Sequence, residues 1–193
     1  MTSNTRVRTR QAPAAREAAL IVMVGAPGTG KSHLAREFTA TFDAVLIQTD
    51  AVRKGMFREP RYTTKETKAV FAESRRQLEA GLAAGRRVIF DATNLRERRR
   101  ASLYELGERA GAVVAVVRAY APTEVVRARV ARRFSDRDPR DQSDADWRIS
   151  RLLQKQAQPI LYPHLVVNTT VSSAPALRAL GRLLTVPRTQ SIT

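Results

Sequence analysis

The chain has 193 residues and a mass of 21.5 kDa, which suits one domain, and 43% of its residues are hydrophobic, which is enough for a core. It contains no cysteine and two histidines, which excludes a disulfide framework, a thiolate zinc site and a cysteine nucleophile, and argues against a histidine-rich metal centre. No apolar run reaches the about 18 residues of a membrane-spanning helix. We therefore expect a cytoplasmic protein with no membrane partner.

The predicted secondary structure alternates between strands and helices. Short apolar runs predict strands at 20–24, 44–49, 87–90, 112–119 and 165–168. Helical spacing predicts helices at 31–42, from 63 to about 84, and at 96–110, 122–134, 144–156 and 173–184. Thr63 and Glu66 have the spacing of a capping box, and Gly85 is the expected end of the long helix. This order predicts an α/β fold whose five-stranded parallel sheet is covered on both sides.

The segments outside this alternation are polar or basic. Residues 1–19 are predicted to form a basic disordered arm and residues 185–193 a flexible tail, with the domain spanning 20–184. Within the domain, about 134–143 form a polar flap between two helices. An arginine-rich group runs through the preceding helix and this flap: Arg127, Arg129, Arg132, Arg133, Arg137 and Arg140. Because arginine stabilises the charge on a transferring phosphoryl group, we expect at least one of them to contact phosphate.

The net charge is +16, and 29 of the 34 cationic side chains are arginine. Residues 1–19 and 178–193 carry +3 each, so the middle of the chain keeps +10. Two explanations remain open. One is an arginine-rich genome, and the other is an anionic partner such as a nucleoside triphosphate or single-stranded nucleic acid.

The strongest motif is a phosphate-binding loop directly after the first strand. It matches the pattern G-x-x-x-x-G-K-[ST] in the residues Gly25, Ala26, Pro27, Gly28, Thr29, Gly30, Lys31 and Ser32. The loop opens a helix, as the motif requires, so backbone N–H groups and the helix dipole would face the phosphates of ATP or GTP. Lys31 is expected to reach the β- and γ-phosphates and Ser32 to bind Mg²⁺. We include the next residue, His33, among the nucleotide-binding residues. With the sheet, the motif predicts a three-layer P-loop NTPase fold.

Two acidic residues are expected at the carboxyl edge of the sheet, where ligands of such sheets bind. Asp50 ends the second predicted strand and Asp91 ends the third. One would hold Mg²⁺ and its waters while the other accepts a proton from an attacking hydroxyl, although each could instead cap a helix. Arg53 follows Asp50 by three residues, so it either makes a surface ion pair or places a guanidinium on an anionic acceptor.

Together these motifs resemble the P-loop kinases related to the phage polynucleotide 5'-hydroxyl kinase. The resemblance spans about residues 20–170. It rests on the phosphate loop, the D-x-x-R unit Asp50–Arg53, the stretch from Asp91 to Asn94 and Leu95 with Arg98 and Arg99 behind it, and the pair Arg129 and Arg133.

The resemblance implies a role for each matching residue. Asp50 is the general base, and Arg53 grips a phosphate on the acceptor. Asp91 lies beside the metal and the phosphates. Asp91 and Asn94 are also expected to bind the acceptor. Arg133 clamps the phosphates, and Arg129 contacts the nucleotide.

Three functions remain in competition. The first is a Mg²⁺-dependent kinase that uses ATP or GTP and acts on a hydroxyl, foremost a polynucleotide 5'-hydroxyl. The second is a small-molecule kinase for an antibiotic, nucleotide sugar or metabolite, and the third is a binding module regulated by a nucleoside triphosphate. A pure switch has no need of Asp50 and Arg53 at an acceptor cleft. A motor ATPase would normally end a strand in Asp-Glu, whereas this chain has Asp91-Ala92 there.

Overall fold

The computed structural model describes residues 18–136 and 145–185, without the side chains of 133–136. Five strands form one parallel sheet: β1 (Ala19–Val24), β2 (Val45–Gln48), β3 (Arg87–Asp91), β4 (Val113–Tyr120) and β5 (His164–Asn168). Seven helices accompany them in the described ranges: α1 (Lys31–Phe42), α2 (Thr49–Met56), α3 (Thr64–Ala83), α4 (Glu97–Arg109), α5 (Thr123–Asp136), α6 (Trp147–Lys155) and α7 (Ala174–Leu183). The predicted three-layer α/β fold is confirmed.

The strand order is β2-β3-β1-β4-β5, which places β1 in the centre. All six residues of β1 are buried, because helices cover both faces of the sheet. Leu20 and Val22 face a core that includes α3 and α4, whereas Ile21 and Met23 face a core built with α1 and α7. Each such aliphatic side chain contributes about 1.5–3 kcal/mol by leaving water.

The chain changes direction across the sheet at β1. It passes from β1 to β2 on one side, returns through β3, and crosses to β4 on the other side. Ligands of open parallel sheets bind beyond the carboxyl ends of the strands at this kind of switch point. The loop after β1 and the residues at the end of β3 therefore share one edge.

Helix ends follow local chemistry. Thr63 caps α3 by accepting a hydrogen bond from the Glu66 N–H at 3.2 Å, while the Glu66 carboxylate binds the Arg61 N–H rather than returning to Thr63. Gly85, at φ 67°, follows the last residues of α3, a position that needs the left-handed conformation.

One strand end differs from the prediction. β2 ends at Gln48, and Asp50 lies in the first turn of α2 rather than at the end of the strand. Gln48 occupies the N-cap position of α2, so Asp50 does not serve as its cap. The strand is shorter than expected because the helical turn starts immediately, at Thr49.

Among the described residues, no helix is both long enough and apolar enough to cross a bilayer. The predicted arm lies outside the described residues apart from positions 18 and 19, and β1 already begins at Ala19. Of the predicted flap, residues 134–136 belong to α5, and 137–143 lie outside the described residues.

Candidate active site

A cleft of about 640 Å³ opens at the carboxyl edge of the sheet. The phosphate loop forms its base and α2 forms one wall, so Lys31, Asp50 and Arg53 line the same space. Asp91 and Arg129 also line it. The structure thus brings together most of the site residues that are predicted from the sequence.

The phosphate loop has a backbone that demands glycine. Gly28 and Gly30 both have φ 84°, in the left-handed region. A Cβ on Gly28 would lie 2.7 Å from Val130 Cγ2 and 2.9 Å from Val126 Cγ1, because α5 packs directly on the loop. The loop is therefore held from outside by a helix and remains open on the cleft side.

The first turn of α1 can receive an anion. Gly30 is the N-cap residue and no side chain caps the helix, so its first N–H groups have no side-chain acceptor. These N–H groups carry the positive end of the helix dipole, and the Lys31 ammonium adds a full charge beside them. This combination suits the phosphates of a nucleoside triphosphate.

Lys31 and Asp91 form a buried ion pair at the centre of the cleft. Gln48 Nε2 donates to the other carboxylate oxygen of Asp91 at 2.8 Å. Burial opposes ionisation of Asp91, but the Lys31 charge and hydrogen bonds from Lys31, Gln48 and Ser32 outweigh it and hold the pKa of Asp91 below its ordinary value. Asp91 is therefore a carboxylate throughout the neutral range.

The residues around Ser32 fit a magnesium ion. The Ser32 hydroxyl and the Asp91 carboxylate are hydrogen-bonded neighbours, and both offer the oxygen ligands that Mg²⁺ prefers. Within the described chain, no group of three or more acidic or histidine side chains forms a metal cage. Such a partial set matches Mg²⁺, which usually keeps waters and takes other ligands from phosphates.

Arg129 is fixed beside the phosphate loop by Thr169. Its guanidinium donates to Thr169 Oγ1 at 2.8 Å and to the Thr169 carbonyl at 2.9 Å. The Thr169 hydroxyl in turn donates to the Thr29 carbonyl at 2.7 Å. Arg129 is thus positioned at the loop by a residue from the β5–α7 connection, which the sequence analysis did not identify.

A second cavity, of about 800 Å³, lies between α1 and the segment that follows β5. It is lined by Gly30, His33 and Val171 among others, so it starts where the phosphate loop ends. His33 is exposed at this cavity. The position suits the base and ribose of a nucleotide whose phosphates lie on the loop.

Arg53 is the most informative residue on the acceptor side. It is only 6% exposed, yet its Nε and Nη1 make no hydrogen bond within the described chain. Its nearest carboxylate, Glu66, lies 3.5 Å from Nη1, and Nη2 reaches Thr67 Oγ1 at 3.4 Å. The guanidinium lies 4.6 Å from the centre of the Tyr62 ring. Buried donors of this kind normally have partners, so this guanidinium is suited to an anionic ligand.

Asn94 lies in the loop between β3 and α4 and is not among the residues that line the cleft. It is 1% exposed, and its Nδ2 donates to the Met23 carbonyl at 2.8 Å. Its Oδ1 is buried without a hydrogen-bond partner among the described residues. Its φ of 48° is a left-handed conformation that asparagine tolerates better than most residues.

The flap arginines are only partly described. Arg133 lies in α5, but its side chain is outside the description, as are residues 137 and 140 entirely, so the clamp role of Arg133 stays a prediction. Arg127 and Arg132 are exposed on α5.

Comparison with known proteins identifies the class of protein to which the chain belongs. Its α/β architecture and phosphate loop are those of P-loop proteins with kinase-like folds. The family model described as AAA domain matches residues 20–160, and the chain belongs to that family. No curated protein matches the chain.

Several solved structures share the fold. A proposed kinase from Chloroflexus aurantiacus is 20% identical with a TM-score of 0.68, and the match covers 86% of this chain and 97% of that chain. The APS kinase CysC of Mycobacterium tuberculosis, in complex with AMPPNP and APS, is 19% identical with a TM-score of 0.63, covering 88% and 99%. A chain of the Pnkp1/Rnl/Hen1 complex is 26% identical with a TM-score of 0.53, covering 62% of this chain but 41% of that one.

Proposed function

We propose that the protein is an ATP-dependent kinase that transfers the γ-phosphate to a hydroxyl, and that its acceptor is a polynucleotide 5'-hydroxyl. The observation that carries the proposal is the position of Asp50 and the incompletely paired Arg53 in the same cleft as Lys31. A site that binds only the nucleoside triphosphate would not need a buried guanidinium with unpaired N–H groups on its opposite wall. The likeness to a chain of the Pnkp1/Rnl/Hen1 complex supports this choice of acceptor.

The reaction assigns a role to each wall of the cleft. The acceptor oxygen attacks the γ-phosphorus, a new O–P bond forms, and the bond to the β,γ-bridging oxygen breaks to release ADP. Asp50 accepts the proton of the attacking hydroxyl. Lys31, the N–H groups of α1 and the flap arginine Arg133 stabilise the charge on the phosphoryl oxygens.

The remaining residues bind and orient. Ser32 and Asp91 would hold Mg²⁺, which neutralises charge between the β- and γ-phosphates when bound. Arg129 and His33 contact the nucleotide. Arg53 binds a phosphate of the acceptor, and Asn94 lies on the acceptor side. We place this activity in the cytoplasm, with GTP as the alternative donor.

The test is transfer of label from γ-labelled ATP to a panel of 5'-hydroxyl oligonucleotides, nucleosides, sugars and aminoglycosides. Lys31→Ala is expected to lower transfer by about 10²–10³-fold, because it removes the positive charge beside the N–H groups of α1. The matched control is Lys65→Ala, an exposed lysine on α3. Label in a small molecule would replace the polynucleotide acceptor. Label only in free phosphate would instead identify a binding module that hydrolyses its nucleotide.

A further inference from the structure

A groove of about 560 Å³ lies between α3 and α4, next to the cleft. Tyr62, Thr67, Phe71 and Arg99 line both spaces, so a single ligand can extend from one into the other. Phe71 lines the groove together with the buried core side chains Leu78, Phe90 and Leu103. The volume lies within the usual range for small-molecule sites.

A flat cationic platform stands at the junction of the groove and the cleft. The Arg99 guanidinium lies 4.3 Å from the centre of the Phe71 ring. A stacked arginine and an aromatic ring are the surfaces on which proteins stack nucleobases. Burial and the neighbouring Arg96 lower the pKa of Arg99 from its ordinary value.

The charge of the groove selects among acceptors. Its charged lining residues are Lys68, Arg75 and Arg99, and none of its described lining residues is acidic. Arg75 is paired with Glu79 on the outer surface of α3 at 2.9 Å. A groove with this lining repels a polycation such as an aminoglycoside and favours a ligand that carries negative charge.

One buried atom points to a donor on the ligand. Asn94 lines the groove, and its Oδ1 is the buried acceptor that lacks a partner among the described residues. Leaving such an atom unpaired costs free energy, so a ligand N–H that reaches it would be favoured. Nucleobase edges carry N–H donors between two apolar faces, a combination that matches Asn94 beside the Phe71–Arg99 platform.

We propose that the groove between α3 and α4 is a subsite for the nucleobase of the acceptor unit, whose 5'-hydroxyl and 3'-phosphate are those of the proposed function. The inference rests on the proposed function. Arg53 lines the cleft, and its Nη2 contacts Thr67, which lines both the cleft and the groove. The 5'-hydroxyl then lies at Asp50, the phosphate at Arg53 and the base on Phe71 and Arg99. The unit belongs either to a free nucleotide or to the end of a strand.

The experiment compares three acceptors: an oligonucleotide with 2-aminopurine at its 5'-hydroxyl end, the same oligonucleotide with an abasic first residue, and 2-aminopurine nucleoside 3'-phosphate. We expect kcat/KM for the base-bearing oligonucleotide to exceed that for the abasic one by about 10–100-fold. Binding should also quench 2-aminopurine fluorescence, a readout that does not require turnover. Comparable turnover of the 3'-phosphate would identify free nucleotides as the source, and its absence would identify strand ends.

Two variants make the test specific. Phe71→Leu and Arg99→Ala should each lose most of the preference for a base and most of the quenching, and should lower turnover of the abasic acceptor much less than turnover of the base-bearing one. Phe42→Leu, on the opposite side of the sheet, and Arg98→Ala, the neighbouring exposed arginine, are the matched controls. Because Phe71 packs partly against the core, Arg99→Ala preserves the test if Phe71→Leu fails to fold.

The outcomes separate the two proposals. Transfer to both oligonucleotides with equal kcat/KM would overturn the base subsite and leave the kinase intact. Quenching that depends on Phe71 and Arg99 without any transfer would support the subsite and overturn the kinase. If neither quenching nor a base preference is observed, the proposed subsite is overturned, whatever the kinase activity.

Discussion

Two buried arginines, Arg53 and Arg100, show how differently this fold uses the same side chain. They are 6% and 0% exposed, so burial does not distinguish them. Arg100 is hydrogen-bonded through all three guanidinium nitrogens, whereas Nε and Nη1 of Arg53 make no hydrogen bond in the described structure.

Arg100 connects parts of the chain that are distant in sequence. Its Nη1 donates to the Asn94 carbonyl at 2.7 Å and its Nη2 to the Gln158 carbonyl at 3.1 Å. It also contacts the Pro159 carbonyl and the Glu97 carboxylate, with Nε 2.8 Å from Glu97 Oε2. The connection between α6 and β5 is therefore tied to the start of α4.

The difference teaches that partners rather than burial reveal the role of an arginine. A desolvated charge with complete partners maintains the structure, and one with open donors is suited to a ligand. Variants in the cleft should therefore lose activity, whereas variants in the Arg100 network should lose stability.

The largest effect is expected in the cleft. Asp50→Asn keeps the shape of the side chain but removes its ability to accept a proton, so kcat should fall by about 10²–10⁴-fold. ATP affinity, measured by titration calorimetry, should change little. A loss of ATP affinity with turnover intact would show instead that Asp50 serves the metal.

Arg100→Met should damage stability. It keeps the aliphatic stem but leaves three backbone carbonyls and Glu97 without their donor, so the free energy of unfolding should fall by about 3–5 kcal/mol. Urea denaturation measures this loss. If the variant is as stable as the parent protein, the Arg100 network does not hold the α6–β5 connection.

Arg53→Met makes the same substitution where the guanidinium is incompletely paired. The free energy of unfolding should change by less than about 1 kcal/mol, because Glu66 keeps its bonds to the Arg61 N–H. For the acceptor, kcat/KM should fall by about 10–100-fold, since a charge-assisted hydrogen bond contributes about 1.5–3 kcal/mol. A stability loss equal to that of Arg100→Met would remove the contrast.

The smallest effect concerns pH. Because the folded-state pKa of Asp91 is lowered, its contribution to stability is present above its unfolded pKa and is lost as pH falls through the folded value. Asp91→Asn should therefore make the acid loss of stability less steep, by at most about 1.4 kcal/mol per pH unit. Urea denaturation from pH 7 to pH 2 measures this slope, with the exposed Glu108→Gln as the control. An unchanged slope would contradict the assignment.

Much of the fold was predictable because its signals are local. The predicted bounds of α1 coincide with the observed helix, and Asp91 closes β3 as expected. Apolar runs and the phosphate-loop motif are each contained in a short continuous stretch of sequence, so they can be recognised without knowledge of the tertiary structure. The short α2 was not predicted because its eight residues carry only two large apolar side chains, so Asp50 was placed at a strand end.

The site was predictable in its motif residues but not in the residues that position them. Gln48 binds Asp91 across 43 positions, and Thr169 holds Arg129 across 40. Such pairs leave no spacing pattern in a single sequence. Phe71 lies within the predicted helix from 63 to about 84, and only the arrangement of α3 against α4 brings it to Arg99.

The contact of Gly28 with α5 has a genetic consequence. A methyl group at position 28 would overlap Val126 and Val130. A change to alanine therefore disturbs both the phosphate loop and the packing of α5 on it. Second-site suppressors of Gly28→Ala should therefore arise at positions 126 and 130, as smaller side chains, rather than beside the mutation. Their rescue should be partial, because a side chain at φ 84° retains about 1–2 kcal/mol of backbone strain that no change in the helix relieves.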